Sequence, residues 1–372
     1  IGAGPAGLTA AYYLAKKGYK VIVFEALPTA GGMMVAGIPE YRLPRDIVQS
    51  EIDAITALGV EIKTNVRVGK DVSINSLRDN GYQAILFTIG AFKGRKLMIS
   101  GEDKYTGCVD SIKFLTKVNY GERTKPGDRV VVIGGGNSAI DAARVAVRLG
   151  AANVTIAYRR TRKEMPAFEE EIEAAEEEGV IIEYLTAPTR LVGKNEKLTG
   201  LECIRNKMGE PDSSGRRRPV PVEGSGFILE CDVLIPAISQ EPDIEELANT
   251  EDFEITKWNT FKVDPDNLET NIKGVFAAGD AVTGPSTIIE AIAAGQRSAA
   301  AIDKHFEGEK LEWEYRSVIP KKMIAEIEVP EAEVERLKRP KMPCLKAAKR
   351  KKDFSEVETG YTEEMAVDDA KR

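Results

Sequence analysis

The first 26 residues, "IGAGPAGLTAAYYLAKKGYKVIVFEA" (1–26), decide the fold. Gly2, Gly4 and Gly7 keep the G-x-G-x-x-G spacing, with Pro5 and Ala6 inside it. An Ala- and Leu-rich run then predicts a helix to about Lys17, Gly18 stops it, and a β-rich strand ends in Glu25. Each glycine has its own task in such a turn. Gly2 permits the tight bend, Gly4 lets the backbone approach a pyrophosphate, and Gly7 allows close helix packing. The helix N-terminus offers free N–H groups and a positive dipole end to phosphate oxygens. Glu25, eighteen residues beyond Gly7, is placed to accept hydrogen bonds from ribose hydroxyls. Strand, turn, helix, strand and acid in this order predict a dinucleotide site. Only Ile1 stands where a buried strand normally leads into the turn, so the chain is expected to be cut from a longer polypeptide.

A second unit repeats the plan at 128–160, "DRVVVIGGGNSAIDAARVAVRLGAANVTIAYRR". An apolar strand at 130–133 leads into Gly134, Gly135 and Gly136, with Ala139 in the third glycine position, where alanine still packs. A helix runs to Leu149, Gly150 ends it, and a strand covers 154–158. Laying Val21 on Val154 sets Glu25 opposite Tyr158, and Arg159 and Arg160 come next. The two strand ends therefore differ in sign. A carboxylate suits a free ribose 2′-hydroxyl and repels a 2′-phosphate, which calls for arginine. The first site is expected to hold a dinucleotide without the 2′-phosphate, the second NADP(H). The competing reading pairs Arg159, Arg160 and Arg162 with the acidic run "EEEIEAAEEE" (169–178), itself read as a solvated helix face.

A third motif, "GVFAAGDAVTGPSTIIEAIAAGQRSAAAI" (274–302), delivers Gly279 and Asp280 at the end of a buried strand 274–278, and a helix starts near Ser286. An acid there can bond ribityl hydroxyls, and the helix N-terminus stabilises negative charge on a reduced flavin. Together with "GAGPAGL", "GGMMVAGIPEYRLP" (31–44), "GGGNSAIDAAR" (134–144), "YRRTRKEMPA" (158–167) and "AISQEPD" (237–243), the chain resembles the flavin-containing small (beta) subunit of glutamate synthase over about residues 1–305. Flavin modules of dihydropyrimidine dehydrogenase and of electron-bifurcating transhydrogenase complexes share the likeness. The resemblance implies FAD contacts from Gly2, Gly4, Pro5, Ala6, Gly7, Glu25, Gly31, Gly32, Arg42, Val68, Gly279, Asp280 and Thr287. It implies NADP contacts from Gly134, Gly135, Gly136, Asn137, Ser138, Arg159, Arg160, Ala237, Ile238 and Ser239. The family commonly has glycine where Ser239 stands, which adds a side chain near the nicotinamide. It also implies iron–sulfur clusters outside this segment, in a partner subunit or domain of a hetero-oligomeric complex.

The expected fold is α/β: two Rossmann-like dinucleotide-binding domains, the NADP domain (111–245) inserted in an FAD domain (1–110 and 246–312). A charged, proline-rich tail (313–372) is expected to wrap a surface or a partner. Composition narrows the function. With 52 basic against 59 acidic residues, net −7, the chain lacks the basic surface of a nucleic-acid binder. No apolar run approaches the ~18 residues of a membrane span. Cys108, Cys203, Cys231 and Cys344 form no C-x-x-C pair, which speaks against a dithiol relay and fits isolated thiols in a reducing cytoplasm. The single histidine, His305, leaves no Ser–His–Asp triad or histidine metal cage for consideration. Hydride transfer between cofactors needs neither. Two alternatives remain open at this level: an FAD/NADPH monooxygenase, and a flavin electron-transfer subunit with a vestigial or regulatory nicotinamide site. Replacing both Arg159 and Arg160 by alanine is expected to weaken NADPH more than NADH, by roughly tenfold for one lost charge-assisted contact; equal losses in steady-state kinetics would remove the 2′-phosphate assignment.

Overall fold

Buried β-branched runs and Ala-rich helices alternate along the chain, and a computed structural model describes residues 1–211, 217–248, 252–309, 311 and 340–370. The first glycine turn opens helix α1 (Pro5–Lys16), followed by β1 (Ile22–Phe24), α2 (Met33–Ala36), α3 (Arg45–Thr56), β2 (Glu61–Lys63), α4 (Ile74–Asp79), β3 (Ile85–Phe87) and β4 (Lys93–Gly94). The second unit comprises α5 (Ser111–Asn119), β5 (Arg129–Ile133), α6 (Asn137–Arg148), β6 (Asn153–Ala157), α7 (Glu169–Glu177) and β7 (Ile181–Glu183). Four strands follow: β8 (Thr186–Lys194), β9 (Lys197–Pro211), β10 (Arg217–Pro221) and β11 (Phe227–Glu230). The chain returns through β12 (Val233–Pro236), β13 (Gln240–Glu241), α8 (Glu245–Ala248), β14 (Val275–Ala277), α9 (Asp280–Thr283) and α10 (Ile288–Glu307), and the tail carries α11 (Ala347–Arg350) and α12 (Glu363–Ala370).

The topology is that of one nucleotide-binding unit inserted in another. In the outer unit β1 pairs with β2 and β3 with β14, both in parallel. Ile1 and Gly2 lie between the two ladders: the Ile1 nitrogen donates to Leu86 O at 2.7 Å and the Gly2 N–H to Phe24 O at 2.7 Å. In the inner unit the parallel order is β12-β5-β6-β7, with β5 buried from Val130 to Ile133 and β12 buried throughout. Continuous apolar strands such as "VVVI" and "VLI" are what a parallel sheet covered on both faces requires. The outgoing and returning connections pair with each other, β4 antiparallel to β13, and Arg95 adds an ion pair to Glu241 at 3.2 Å. A second, antiparallel sheet of β8, β9, β10 and β11 was not foreseen from sequence; it packs around Leu191, Leu201, Cys203 and Cys231.

The acidic run 169–178 is not simply a solvated face, which corrects the sequence reading. Its last member, Glu178, has a side chain with 0% exposure and receives three guanidinium groups. Arg144 Nη2 donates to it at 2.7 Å, Arg148 Nη1 at 2.5 Å and Arg350 Nε at 2.9 Å. Glu171 pairs with Arg144 and Arg42, Asp141 with Arg42, and Glu177 with Arg350. Four arginines thus meet four carboxylates, of which Glu178 and Asp141 are buried, Glu171 is largely covered and Glu177 is exposed. Burial pushes the Glu178 carboxyl up, but hydrogen bonds and charge from Arg148 and Arg144 outweigh it and hold the pKa below the ordinary glutamate value. Tyr41, 1% exposed, stacks beneath Arg148 at 3.8 Å and Arg144 at 4.8 Å.

The tail joins this cluster. Arg350 enters it from α11, Phe354 and Val357 are buried in the same core, and Val357 N–H donates to Tyr41 O at 3.0 Å. Residues 340–370 therefore lie in part on the chain itself; the rest of the expected tail, 313–339 and 371–372, falls outside the described residues. Glu178→Gln is expected to lower the unfolding free energy by about 3–5 kcal/mol, because three buried cations lose their common partner. Urea denaturation reads that loss, whereas a change under 1 kcal/mol would show that the cluster carries little of the fold. Arg350→Ala is expected to open 340–360 to limited proteolysis with a smaller loss.

Candidate functional site

A cleft opens at the first glycine turn and is lined by residues from both limbs of the outer unit. Gly2, Gly4, Pro5, Ala6, Glu25, Gly32, Val68, Gly279, Asp280 and Thr287 all face it. Gly7 and Gly31 do not line it, but they pack behind. A Cβ on Gly7 would sit 2.0 Å from Gly2 O, and one on Gly31 2.5 Å from a Val35 methyl. Gly32 has φ +55 and a Cβ there would meet Gly4 Cα at 2.7 Å, so the two loops touch through bare backbone. Gly4 is different: its nearest obstacle is 3.9 Å away. No protein atom requires glycine at that position, which fits a ligand coming up against the backbone from the cleft.

The charge arrangement fits a dinucleotide. Glu25 is 6% exposed and fixed by two main-chain donors, Ala3 N–H on Oε2 and Leu27 N–H on Oε1, each at 2.7 Å. A carboxylate has about four acceptor sites, so lone pairs remain for ribose hydroxyls. Helix α1 has no side-chain cap at Gly4, which leaves its first N–H groups free beside the cleft. The 20-residue α10 begins at the cleft with Thr287 as its N-cap, in a capping box with Glu290. Burial pushes the Asp280 carboxyl up to about 6, the Ser286 N–H opposing and Glu290 reinforcing.

The second constellation lies at the carboxyl ends of β5, β6 and β12. Gly134 carries φ +152 and lies so close to Ala237 that a Cβ would reach its carbonyl oxygen at 2.3 Å. A Cβ on Gly135 would meet the Tyr158 ring at 2.4 Å, while Gly136 has only Pro166, 3.9 Å away. The pattern repeats the first turn: two glycines answer to packing and one faces open space. Helix α6 likewise lacks a side-chain cap; Asn137 Oδ1 accepts from Phe168 N–H and Ser138 Oγ from Gln240 Nε2. Ile238 is 46% exposed, and Ser239 O accepts from Arg95 N–H. Arg159 is exposed and Arg160 half-buried, its Nε donating to Arg217 O. Arg162 takes the competing role: it ion-pairs with Glu169 and Glu176 on the acidic helix.

Arg42 finds its partners outside the cleft. Its Nη1 donates to both oxygens of buried Asp141 at 2.9 Å, its Nε lies 3.2 Å from Glu171, and it does not line the cleft. The buried carboxylate of Asp141 needs a cation, and the loop ending at Arg42 is the one that supplies it. Sequence reasoning missed several cleft residues, among them Met33, Thr88, Gly90 and Leu247. Thr88 had a signal, as the polar residue directly after the buried run of β3; its hydroxyl donates to Ile1 O and Gly2 O and steadies the glycine turn. Leu247 had none, since a short helix far along the chain brings it there. Cys203 and Cys231 are 0% exposed in the inner unit, where burial pushes both thiols up to about 12. Neither lies beside the cleft.

Comparison with known proteins settles the lineage. The family model described as pyridine nucleotide-disulphide oxidoreductase matches residues 1–295. The chain belongs to that family. Among curated relatives it is 50% identical over 307 residues to "NADP(+)-dependent formate dehydrogenase subunit beta" of Moorella thermoacetica, covering 82% of this chain and 43% of the relative. It is 41% identical to "NADPH-Fe(3+) oxidoreductase subunit beta" of Geobacter sulfurreducens, covering 100% of this chain and 60% of the relative. To "Glutamate synthase [NADPH] small chain" of Escherichia coli it is 36% identical, covering 81% and 67%, which supports the glutamate synthase small-chain grouping. The chain spans about half the length of the first two relatives. In fold it is similar to FprA of Mycobacterium tuberculosis in complex with NADPH (TM-score 0.69, 21% identity, 82% of this chain and 84% of that one). Thioredoxin reductase of T. acidophilum is also similar (TM-score 0.61, 22% identity, 82% and 97%). The pyridine nucleotide-disulphide oxidoreductase chain is accordingly an FAD- and NAD(P)H-dependent flavoprotein.

Asp280→Ala is expected to purify with depleted FAD, read as the ratio of flavin to protein absorbance; full occupancy would remove Asp280 from the site. The apoprotein carries a second signature. The folded carboxyl titrates at about 6, above its ordinary 3.8, so the folded state holds the proton between these values and stability falls as pH rises through them. Asp280→Asn is expected to abolish that slope and to raise apoprotein stability at pH 7 by up to about 3 kcal/mol.

Proposed function

We propose that the chain is the electron-input module of a larger complex: it passes hydride between NADPH and FAD, and electrons then leave to an iron–sulfur partner subunit or domain. The observation that carries this reading is the opposition of the two strand ends. Glu25 is held by backbone in the first cleft, and Arg159 and Arg160 stand at the equivalent place in the second unit. A carboxylate accepts from a free ribose, and a guanidinium pair neutralises a 2′-phosphate. That assigns FAD to the outer unit and NADPH to the inner one.

Bound together, the two cofactors supply the redox chemistry, a hydride exchanged between nicotinamide and flavin. The chain contributes positioning. Gly4 and Gly136 leave room for pyrophosphate against the uncapped ends of α1 and α6. Thr287 and the start of α10 aim a positive dipole end into the flavin cleft. Asp280 offers ribityl hydroxyls a carboxyl group held by the Ser286 N–H. The deeply buried, hard-to-ionise Cys203 and Cys231 are unsuited to disulphide exchange, which needs an accessible thiolate beside the flavin. A place in a larger complex accords with the relatives known as beta subunits of an NADP(+)-dependent formate dehydrogenase and of an NADPH-Fe(3+) oxidoreductase.

Anaerobic stopped-flow of the FAD-loaded protein tests the assignment. Flavin bleaching with NADPH is expected to exceed that with NADH by at least about tenfold in kcat/KM, one charge-assisted contact or more. The reverse preference would overturn the arginine assignment. Absence of bleaching with either would mean that a partner feeds the flavin.

A further inference from the structure

Arginines at an exposed strand end select a phosphate only if their backbone is held still, and the structure shows what holds it. Three main-chain bonds tie residues 158–160 to the β7–β8 connection: Tyr158 N–H to Glu183 O, Thr186 N–H to Tyr158 O, and Leu185 N–H to Arg160 O, at 2.9, 2.9 and 3.0 Å. The carbonyl of Arg159 is taken by a side chain: Asn206 Nδ2 donates to it at 3.0 Å. Asn206 comes from β9, 47 residues away, and is 6% exposed. Its own N–H donates to Leu185 O at 2.7 Å, which locks the connection on the other side. Leu185 adopts φ +53, a left-handed conformation that a non-glycine residue keeps only when its surroundings enforce it. The antiparallel sheet, no part of the βαβ unit itself, thus has its buried amide against the arginine turn.

Resting on the assignment of Arg159 and Arg160 to the 2′-phosphate, we infer that Asn206 is the positioning residue of that subsite. It touches no phosphate; it acts through the Arg159 peptide, whose fixed orientation aims the side chain. The chemistry requires a donor. An aspartate of the same shape would set a carboxylate oxygen against the Arg159 carbonyl and lose the bond. Preorganisation of this kind acts on the contact that needs orientation, here the phosphate, and not on adenine or ribose.

Isothermal titration of the FAD-loaded chain with 2′,5′-ADP and with 5′-AMP tests this without turnover. Asn206→Ala and the isosteric Asn206→Asp are expected to weaken 2′,5′-ADP about tenfold, leave 5′-AMP within twofold and leave FAD content intact. Placed on Arg159→Ala, Asn206→Ala is expected to add nothing further. Unchanged 2′,5′-ADP affinity in both variants, equal losses for both nucleotides, or additivity with Arg159→Ala would overturn the role of Asn206 while the arginine assignment stands. Equal binding of the two nucleotides by the unmodified protein would overturn the arginine assignment and the inference with it.

Discussion

A carboxylate cut off from water, Glu178, is the point on which three separate stretches of the chain converge. Arg144 and Arg148 reach it from α6 and Arg350 from the tail. The same network takes in Asp141, Glu171 and Arg42, so the outer unit's loop at 41–42 is fastened to the inner unit. Removing water from so many charges is unfavourable unless every one finds a partner. That condition ties the inner unit's helix, the outer unit's loop and the tail together: each brings a group that the others leave unmatched. Tyr41 completes the arrangement by presenting its ring to two guanidinium groups in place of water.

This network lies behind the second glycine turn, on the helix that opens from that turn. α6 carries Asn137 and Ser138 at one end and Arg144 and Arg148 further along. Holding its far end with buried ion pairs fixes the direction of its N-terminus, on which phosphate binding depends. The paired connections β4 and β13 join the two units close to Ser239, with Arg95 bonded to both Ser239 and Glu241. Both nucleotide sites are therefore built on the same economy of means: glycine turns stripped of side chains, uncapped helix ends, and one strand end carrying the sign of charge that suits the ribose.

The glycine turns were readable because their chemistry is local. Spacing of Gly2, Gly4 and Gly7, a helix of small residues and a β-branched strand all lie within one stretch, and the folded positions match: α1 spans Pro5–Lys16 and β6 ends at Ala157, directly before Tyr158 and the arginines. The strand before Asp280 was equally plain, since "VFAA" is apolar throughout and α10 opens after it. Less legible was the inner face of the acidic run. Ten residues with seven glutamates read as solvated by composition, and nothing within them reveals that Glu178 meets an arginine 172 residues further on. The carboxylate partners of Arg42 were hidden for a related reason. Its type suits a phosphate, but its nearest carboxylate, Asp141, sits 99 residues away.

Sequence alone determined the two βαβ units, their nesting and the contrast between Glu25 and the Arg159–Arg160 pair, because these depend on periodicity and spacing over a few dozen residues. Only the tertiary structure decided which charges are buried, which arginines remain at the strand end, and that Asn206 from a distant strand holds the Arg159 peptide. Burial and hydrogen-bond partnership are properties of packing between segments, and a linear pattern carries no measure of which distant group will exclude water from which charge.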